Sequence, residues 1–159
     1  MVIQLLYPGA MLAHIRPTGA RDFFLKNALA YWAARDIMRM CFLDRESGTR
    51  AKDGEDVFRE FREPLAEGNM LIYFPQGTRK LGAPFLPGVY HLTRAFLHVP
   101  VIPVLLEGTR EMFPAGAKWP RPHPVSVYVG KRFHSRENET PREYARRLEE
   151  YVYGLEREE

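Results

Sequence analysis

Eight consecutive residues, Tyr73-Phe74-Pro75-Gln76-Gly77-Thr78-Arg79-Lys80, gather the groups that hold an oxyanion. They follow the apolar stretch Met70-Leu71-Ile72, which reads as a buried strand leading into a tight loop. Gly77 can take backbone angles closed to other residues, Thr78 offers a hydroxyl, and Arg79 can grip two oxygens at once. The chemistry expected of such a loop is capture of a phosphate or carboxylate. The plainer alternative is a strand end with surface cations. A second cation, Arg45, also falls just after an apolar stretch, Cys41-Phe42-Leu43. It is either another hand on the same anion or an exposed partner of Asp44 or Glu46.

The elements that must position these residues alternate along the chain. Met11 to Arg16 is expected as a short strand before a turn at Pro17-Thr18-Gly19. A helix is expected from Arg21 to Met40, with Phe24, Leu25, Leu29, Trp32, Ile37 and Met40 at helical spacings. Cys41-Phe42-Leu43 follows as a strand. Asp53 can cap the next helix, whose buried stripe would be Val57, Phe58, Phe61 and Leu65, and which Pro64 should end or bend. Gly68 closes it before a strand over Met70–Phe74. A further helix from about Pro87 to Leu97 precedes the apolar run from Val99 to Leu106. Val125 to Val129 alternates as a strand does, and Thr140-Pro141-Arg142-Glu143 is a capping box with Pro at the first helical position. Strands separated by helices of this length predict an α/β fold: one domain over residues 1–159, with a largely parallel sheet flanked by helices. In such sheets ligands sit beyond the carboxyl ends of the strands, where Arg45 and Arg79 fall.

Composition narrows the function classes. At 159 residues and 18.5 kDa the chain has the size of one domain with a real core. A hydrophobic fraction of 45% argues against disorder. No apolar run reaches the length of a membrane span, and no basic region with a signal-type core opens the sequence. The lone Cys41 rules out an intrachain disulfide and a cysteine-based zinc cluster, and it fits a reducing compartment. The net charge of +3 hides an asymmetry. From Arg136 onward there are five Arg and eight Glu, which leaves 18 cations and 12 anions before it. A basic body suits anionic head groups, phosphorylated substrates or nucleic acid. Without a dense Lys/Arg run interleaved with exposed aromatics, nucleic acid is not an expected partner.

The chain resembles the glycerolipid acyltransferase family, of the 1-acyl-sn-glycerol-3-phosphate acyltransferase type, from about Ile15 to Phe133. Phe74-Pro75-Gln76-Gly77-Thr78-Arg79 is similar to the family's Phe-Pro-Glu-Gly-Thr-Arg block, which helps bind the acceptor's phosphate. Phe42-Leu43-Asp44-Arg45 resembles an earlier block whose arginine serves the same phosphate. Val99-Pro100-Val101-Ile102-Pro103-Val104 resembles a hydrophobic strand near the acyl site. The stretch from Gly108 to Gly116 and the Val125–Gly130 strand also look like the family. The order and spacing of the blocks make the match specific.

The resemblance implies a glycerol-3-phosphate acyltransferase-like fold and transfer of a fatty acyl group from an acyl thioester to a hydroxyl. The donor would be coenzyme A or acyl carrier protein, the acceptor a lysophospholipid, and no metal or redox cofactor takes part. Substrate binding would fall to Arg45, Phe74, Pro75, Gln76, Gly77, Thr78 and Arg79. Amphiphilic substrates imply a cytoplasmic protein, peripheral at a membrane face. The segment Phe23-Phe24-Leu25, with Tyr31 and Trp32, is expected to pack the core, the alternative being that it dips into the interface. Acyl chain length, acceptor head group and oligomeric state stay open.

Departures from the family bear on catalysis. The family's signature is a His, four residues and an Asp, the His acting as general base and the Asp orienting its ring. None of His14, His91, His98, His123 and His134 has an Asp five positions later. No catalytic residue is therefore assigned. By the order of blocks the pair belongs at or before Met1, so the chain is expected to be N-terminally incomplete or a catalytically silent lipid- or phosphate-binding homologue. Gln76 stands where the family has Glu, keeping its size and losing its charge. Phe85-Leu86-Pro87-Gly88 lacks a lysine that relatives often carry before the glycine, a loss that Lys80 partly offsets.

Overall fold

The computed structural model describes residues 13–25, 27–43, 57–78, 80, 82–114, 116–117 and 119–157. These fall into two compact units, Met1–Phe74 and Pro75–Glu159.

In the first unit three strands form a parallel sheet in the order β2-β1-β3: β1 Ile15–Ala20, β2 Cys41–Leu43 and β3 Met70–Ile72. β1 runs straight through Pro17-Thr18-Gly19, where a turn was expected. The pairing explains how a central strand tolerates a proline. β3 pairs with Ile15–Pro17 and β2 with Thr18–Ala20, so Pro17 sits where one partner gives way to the other. Its missing N–H therefore interrupts no ladder that runs along both sides. Thr18 adds a side-chain bond to the sheet, donating from Oγ1 to the Ile72 carbonyl at 2.8 Å. β3 ends at Ile72, two residues short of the expected Phe74.

Three short pieces replace the single helix expected over Arg21–Met40: α1 Arg21–Phe24, α2 Ala28–Trp32 and a π-helical turn, Ala33–Ile37. The break comes at Asn27, whose side chain accepts from Leu29 N at 3.0 Å and Ala30 N at 3.3 Å. A residue that caps the following helix cannot also continue the preceding one. Helix α3 Arg59–Ala66 buries Phe61 completely, while Val57, Phe58 and Leu65 are half-buried. Pro64 lies inside α3, which runs two residues past it and stops before Gly68 at φ 79°. The Asp53 cap falls outside the described residues. α3 packs on β2 and β3. Glu60 of α3 pairs with Arg21 and accepts the Phe42 N–H at 2.8 Å, which satisfies a donor on the edge strand.

The second unit departs from the expected parallel sheet. Its strands β4 Val104–Glu107 and β5 Ser126–Val129 pair antiparallel, with Val104 opposite Val129 and Glu107 opposite Ser126. Pro100 and Pro103 explain why the apolar run from Val99 gives so short a strand, since neither can donate to a ladder. Only Val101 escapes, bridging Phe133, whose N–H reaches the Val101 carbonyl at 2.8 Å. Helix α4 Gly88–Ala95 begins after Pro87, as its sequence predicts. α5 Thr109–Met112 is a single turn behind Gly108. Helix α6 Pro141–Gly154 carries the capping box read from the sequence: Thr140 Oγ1 accepts from Glu143 N, and the Glu143 carboxylate accepts from Thr140 N at 2.8 Å. Its buried face is Tyr144, Ala145, Leu148 and Val152, which packs on α4 and β4. Tyr144, fully buried, shares a hydrogen bond with Thr93 Oγ1 at 3.1 Å.

Candidate functional site

The residues expected to hold an anion divide into those the structure describes and those it does not. Arg45 and Arg79 both lie outside the described residues. What is described is the chain that precedes each of them in sequence. β2 and β3 each pair in parallel with β1, so their carboxyl ends open on one edge of the sheet, one strand apart. The register staggers them: Leu43 is level with Ala20 and Ile72 with Pro17, so the two ends lie roughly 10 Å apart across the sheet and about another 10 Å apart along it. Phe74, the last residue of the first unit, is 51% exposed and so adds no core packing.

Pro75–Thr78 open the second unit as a tight turn. Gly77 sits at φ 61°, the left-handed region in which an L side chain is strained. The turn is the mouth of a loop closed at its base, where the Leu86 N–H donates to the Pro75 carbonyl at 2.8 Å. Gln76 fastens it a second time. Its Nε2 donates to the Ala83 carbonyl at 2.9 Å and to the Tyr153 hydroxyl of α6 at 3.1 Å. The next turn of α6 adds a third tie, Glu149 Oε2 accepting the Phe85 N–H at 3.2 Å. Thr78 is exposed, and its Oγ1 accepts the Lys80 N–H at 3.2 Å, which leaves the hydroxyl hydrogen to donate outward. Arg79 lies between these two bonded residues in sequence.

Gln76 thus has a role that sequence reasoning missed. Both of its amide bonds run to acceptors within the protein, and a glutamate here could not donate to Ala83. No local signal announces this, because Tyr153 is 77 residues away.

All five histidines are exposed, and none is hydrogen-bonded to a carboxylate among the described residues. His14 contributes through its backbone, its carbonyl accepting from Met70 N at 2.8 Å. Among the described residues no three His, Cys, Asp or Glu side chains come together as metal ligands would.

Two cavities lie elsewhere. One, about 400 Å³, is in the first unit, where Arg16, Arg35 and Arg39 face Asp36, Glu60 and Glu63 around the buried Cys41. Burial raises the Cys41 thiol above its ordinary pKa, with Glu60 adding to the effect and Arg16 opposing it. The other, about 450 Å³, is in the second unit, between the chain after β5 and α6. There Arg147 lies 4.2 Å above the Phe133 ring and forms a two-point pair with Glu139 at 2.7 and 2.9 Å. That bond holds the Glu139 carboxyl below its usual range and raises Arg147. Its sequence signal was the run Lys131-Arg132-Phe133-His134-Ser135-Arg136, overlooked because it is short.

A small α/β protein with a parallel three-stranded sheet flanked by helices is the class that these observations define. The chain belongs to the acyltransferase family, whose model, described as Acyltransferase, matches residues 6–107, more than half of its length. No curated protein and no solved structure matches it. The matched span contains β1 to β4 and the Pro75–Thr78 turn; β5 and α6 lie beyond it.

Proposed function

We propose that this chain moves a fatty acyl group from an acyl thioester, on coenzyme A or acyl carrier protein, to the hydroxyl of a lysophospholipid such as 1-acylglycerol-3-phosphate. The observation that carries the reading is the fastened turn at Pro75–Thr78, whose sequence resembles the family's phosphate block and which keeps Gly77 left-handed. The acceptor's phosphate rests against this turn, held by the Thr78 hydroxyl and the Arg79 guanidinium. Gln76 supports the turn and leaves the contacts to its neighbours. The acceptor oxygen attacks the thioester carbonyl carbon. The new C–O bond forms, the C–S bond breaks, and the hydroxyl proton ends on the departing thiol. Donors must meet the oxyanion that forms on the way.

The protein works at the cytoplasmic face of a membrane, attached peripherally. Supporting this, Leu25, Leu29, Trp32 and Ile37 are 59%, 71%, 52% and 65% exposed. Arg35 and Arg39 are exposed in the same stretch, where they would meet anionic head groups. Phe24 and Tyr31 instead pack on Phe42, so the segment expected to fill the core does so only in part. No helix among the described residues is long and apolar enough to cross a membrane.

A second reading, a catalytically silent lipid- or phosphate-binding homologue, is favoured by one observation: no histidine has an Asp five positions later or a carboxylate partner among the described residues. One experiment separates the two. Wild type and Arg79→Ala are mixed with vesicles containing lysophosphatidate, with and without oleoyl-coenzyme A, and both binding and phosphatidate formation are followed. Acyl transfer that Arg79→Ala weakens supports the enzyme. Binding that Arg79→Ala weakens, with no product, supports the silent homologue. Equal vesicle affinity of the two proteins removes Arg79 from either role.

A further inference from the structure

We infer that the cavity between the chain after β5 and α6 is a second anion site, built for a phosphomonoester. It does not rest on the acyl-transfer reading, since none of its residues lies in the family-matched span.

This groove holds a surplus of donors without acceptors. The cavity, a shallow groove open to solvent and about 450 Å³ in volume, is lined by Lys131, Arg132, Arg136 and Arg147, with Ser135 and Tyr151 between them. Lys131, Arg132 and Arg136 are exposed, and among the described residues none of their side chains pairs with a carboxylate. Glu139, the one acid bound to this cluster among the described residues, is already consumed. Arg147 takes both of its oxygens, and the Arg136 N–H takes Oε2 at 3.0 Å. The pair orients Arg147: Nε and Nη2 face Glu139, and Nη2 also donates to the His134 carbonyl at 2.7 Å. Nη1 keeps its hydrogens. The Tyr151 hydroxyl accepts the Lys131 N–H at 3.0 Å, which leaves its own hydrogen to donate. Ser135 makes no hydrogen bond among the described residues.

A phosphomonoester answers this set better than a carboxylate. It brings close to two negative charges at neutral pH and three strong acceptor oxygens, and Arg matches its geometry two oxygens at a time. The rings of Phe133 and Tyr151, tilted by 41° with centroids 5.6 Å apart, give the organic part of the ester an apolar wall. The site also runs against the local charge, because the chain from Arg136 onward is acidic as a whole.

Soluble phosphoesters and lipid head groups share this chemistry, and the test separates them. Binding of inorganic phosphate and of adenosine 3′,5′-bisphosphate to the full chain is measured by calorimetry. Binding to phosphatidylcholine vesicles with and without phosphatidate is measured by flotation. Each is repeated with Arg132→Ala/Arg136→Ala, which also removes the Arg136 charge that acts on Glu139, and, independently, with Lys131→Ala, whose side chain makes no hydrogen bond or ion pair among the described residues. The expected result is saturable binding to a phosphoester that the double variant weakens roughly tenfold or more, the loss expected for charge-assisted bonds. Rising salt weakens it too, and Lys131→Ala leaves the melting temperature unchanged. Binding confined to the soluble compounds assigns a soluble ligand, and binding confined to phosphatidate vesicles assigns a lipid. No binding in any arm, or equal binding by the wild type and both variants, overturns the inference. Loss of acyl transfer in Arg79→Ala leaves it untouched.

Discussion

Gln76 Nε2 stands 3.1 Å from the hydroxyl of Tyr153, so the glycine turn of the second unit is tied to that unit's last helix. The same nitrogen donates to the Ala83 carbonyl at 2.9 Å, and the Phe85 ring lies against Tyr153 with centroids 6.2 Å apart. Gln76 is therefore part of the loop's fastening.

Gln76→Glu tests this directly. A carboxylate would set acceptor against acceptor at Ala83 and leave that carbonyl unpaired. The expected cost is about 1–2 kcal/mol, or a melting temperature lower by roughly 3–6 °C. Thermal unfolding followed by far-UV circular dichroism measures it. An unchanged midpoint would show that the amide does not hold the loop.

The pair Glu139–Arg147 predicts a pH dependence. The hydrogen bond from Arg147 lowers the Glu139 pKa in the folded protein, and the Arg136 N–H adds to the effect. The stabilisation is then fully present above the unfolded value of about 4.3 and disappears as pH falls through the lower folded value. Glu139→Gln should be less stable than wild type by about 1–2 kcal/mol near pH 7. The difference should shrink steadily in the acid range. Denaturation midpoints measured across that range would contradict the assignment if the difference stayed constant.

Cys41 offers a probe of the first unit. Its thiol is buried beneath Arg16 and Glu60, and burial raises its pKa, so thiolate is scarce and access requires opening. Reaction with a thiol reagent near neutral pH should be slower than in the unfolded chain by roughly 100-fold or more. Prompt labelling of the native protein would place Cys41 at the surface instead.

How much of this was legible in the sequence depended on the range of the interactions. The α6 capping box is written within four residues, Thr140 to Glu143, and it formed as read. β2 and the start of α4 were equally local. The single helix over Arg21–Met40 failed because Asn27 prefers to cap α2, a competition that apolar spacing does not register. Pro17 looked like a turn because its accommodation in β1 depends on two strands from other parts of the chain. The phosphate-block resemblance found the family. The commitment of Gln76 to Tyr153 needed a tertiary contact, on which local sequence is silent, whereas the run from Lys131 to Arg136 was a local signal whose partner, Arg147, only the fold supplies.

Gly108 and Gly116 separate backbone strain from steric collision. Both have left-handed backbones, at φ 76° and 85°. A Cβ on Gly116 would meet nothing within 4 Å, whereas one on Gly108 would stand 2.1 Å from the Pro124 carbonyl oxygen. Gly116→Ala should therefore cost only the left-handed penalty, about 1–2 kcal/mol. Gly108→Ala bears the same penalty and must also displace backbone beside β5, so its loss should exceed that of Gly116→Ala by at least about 1 kcal/mol. Because both substitutions fall in the second unit, their unfolding midpoints can be compared directly. Equal losses would mean that Pro124 yields without cost, and that the close approach of Gly108 does not hold the β4–β5 connection in place.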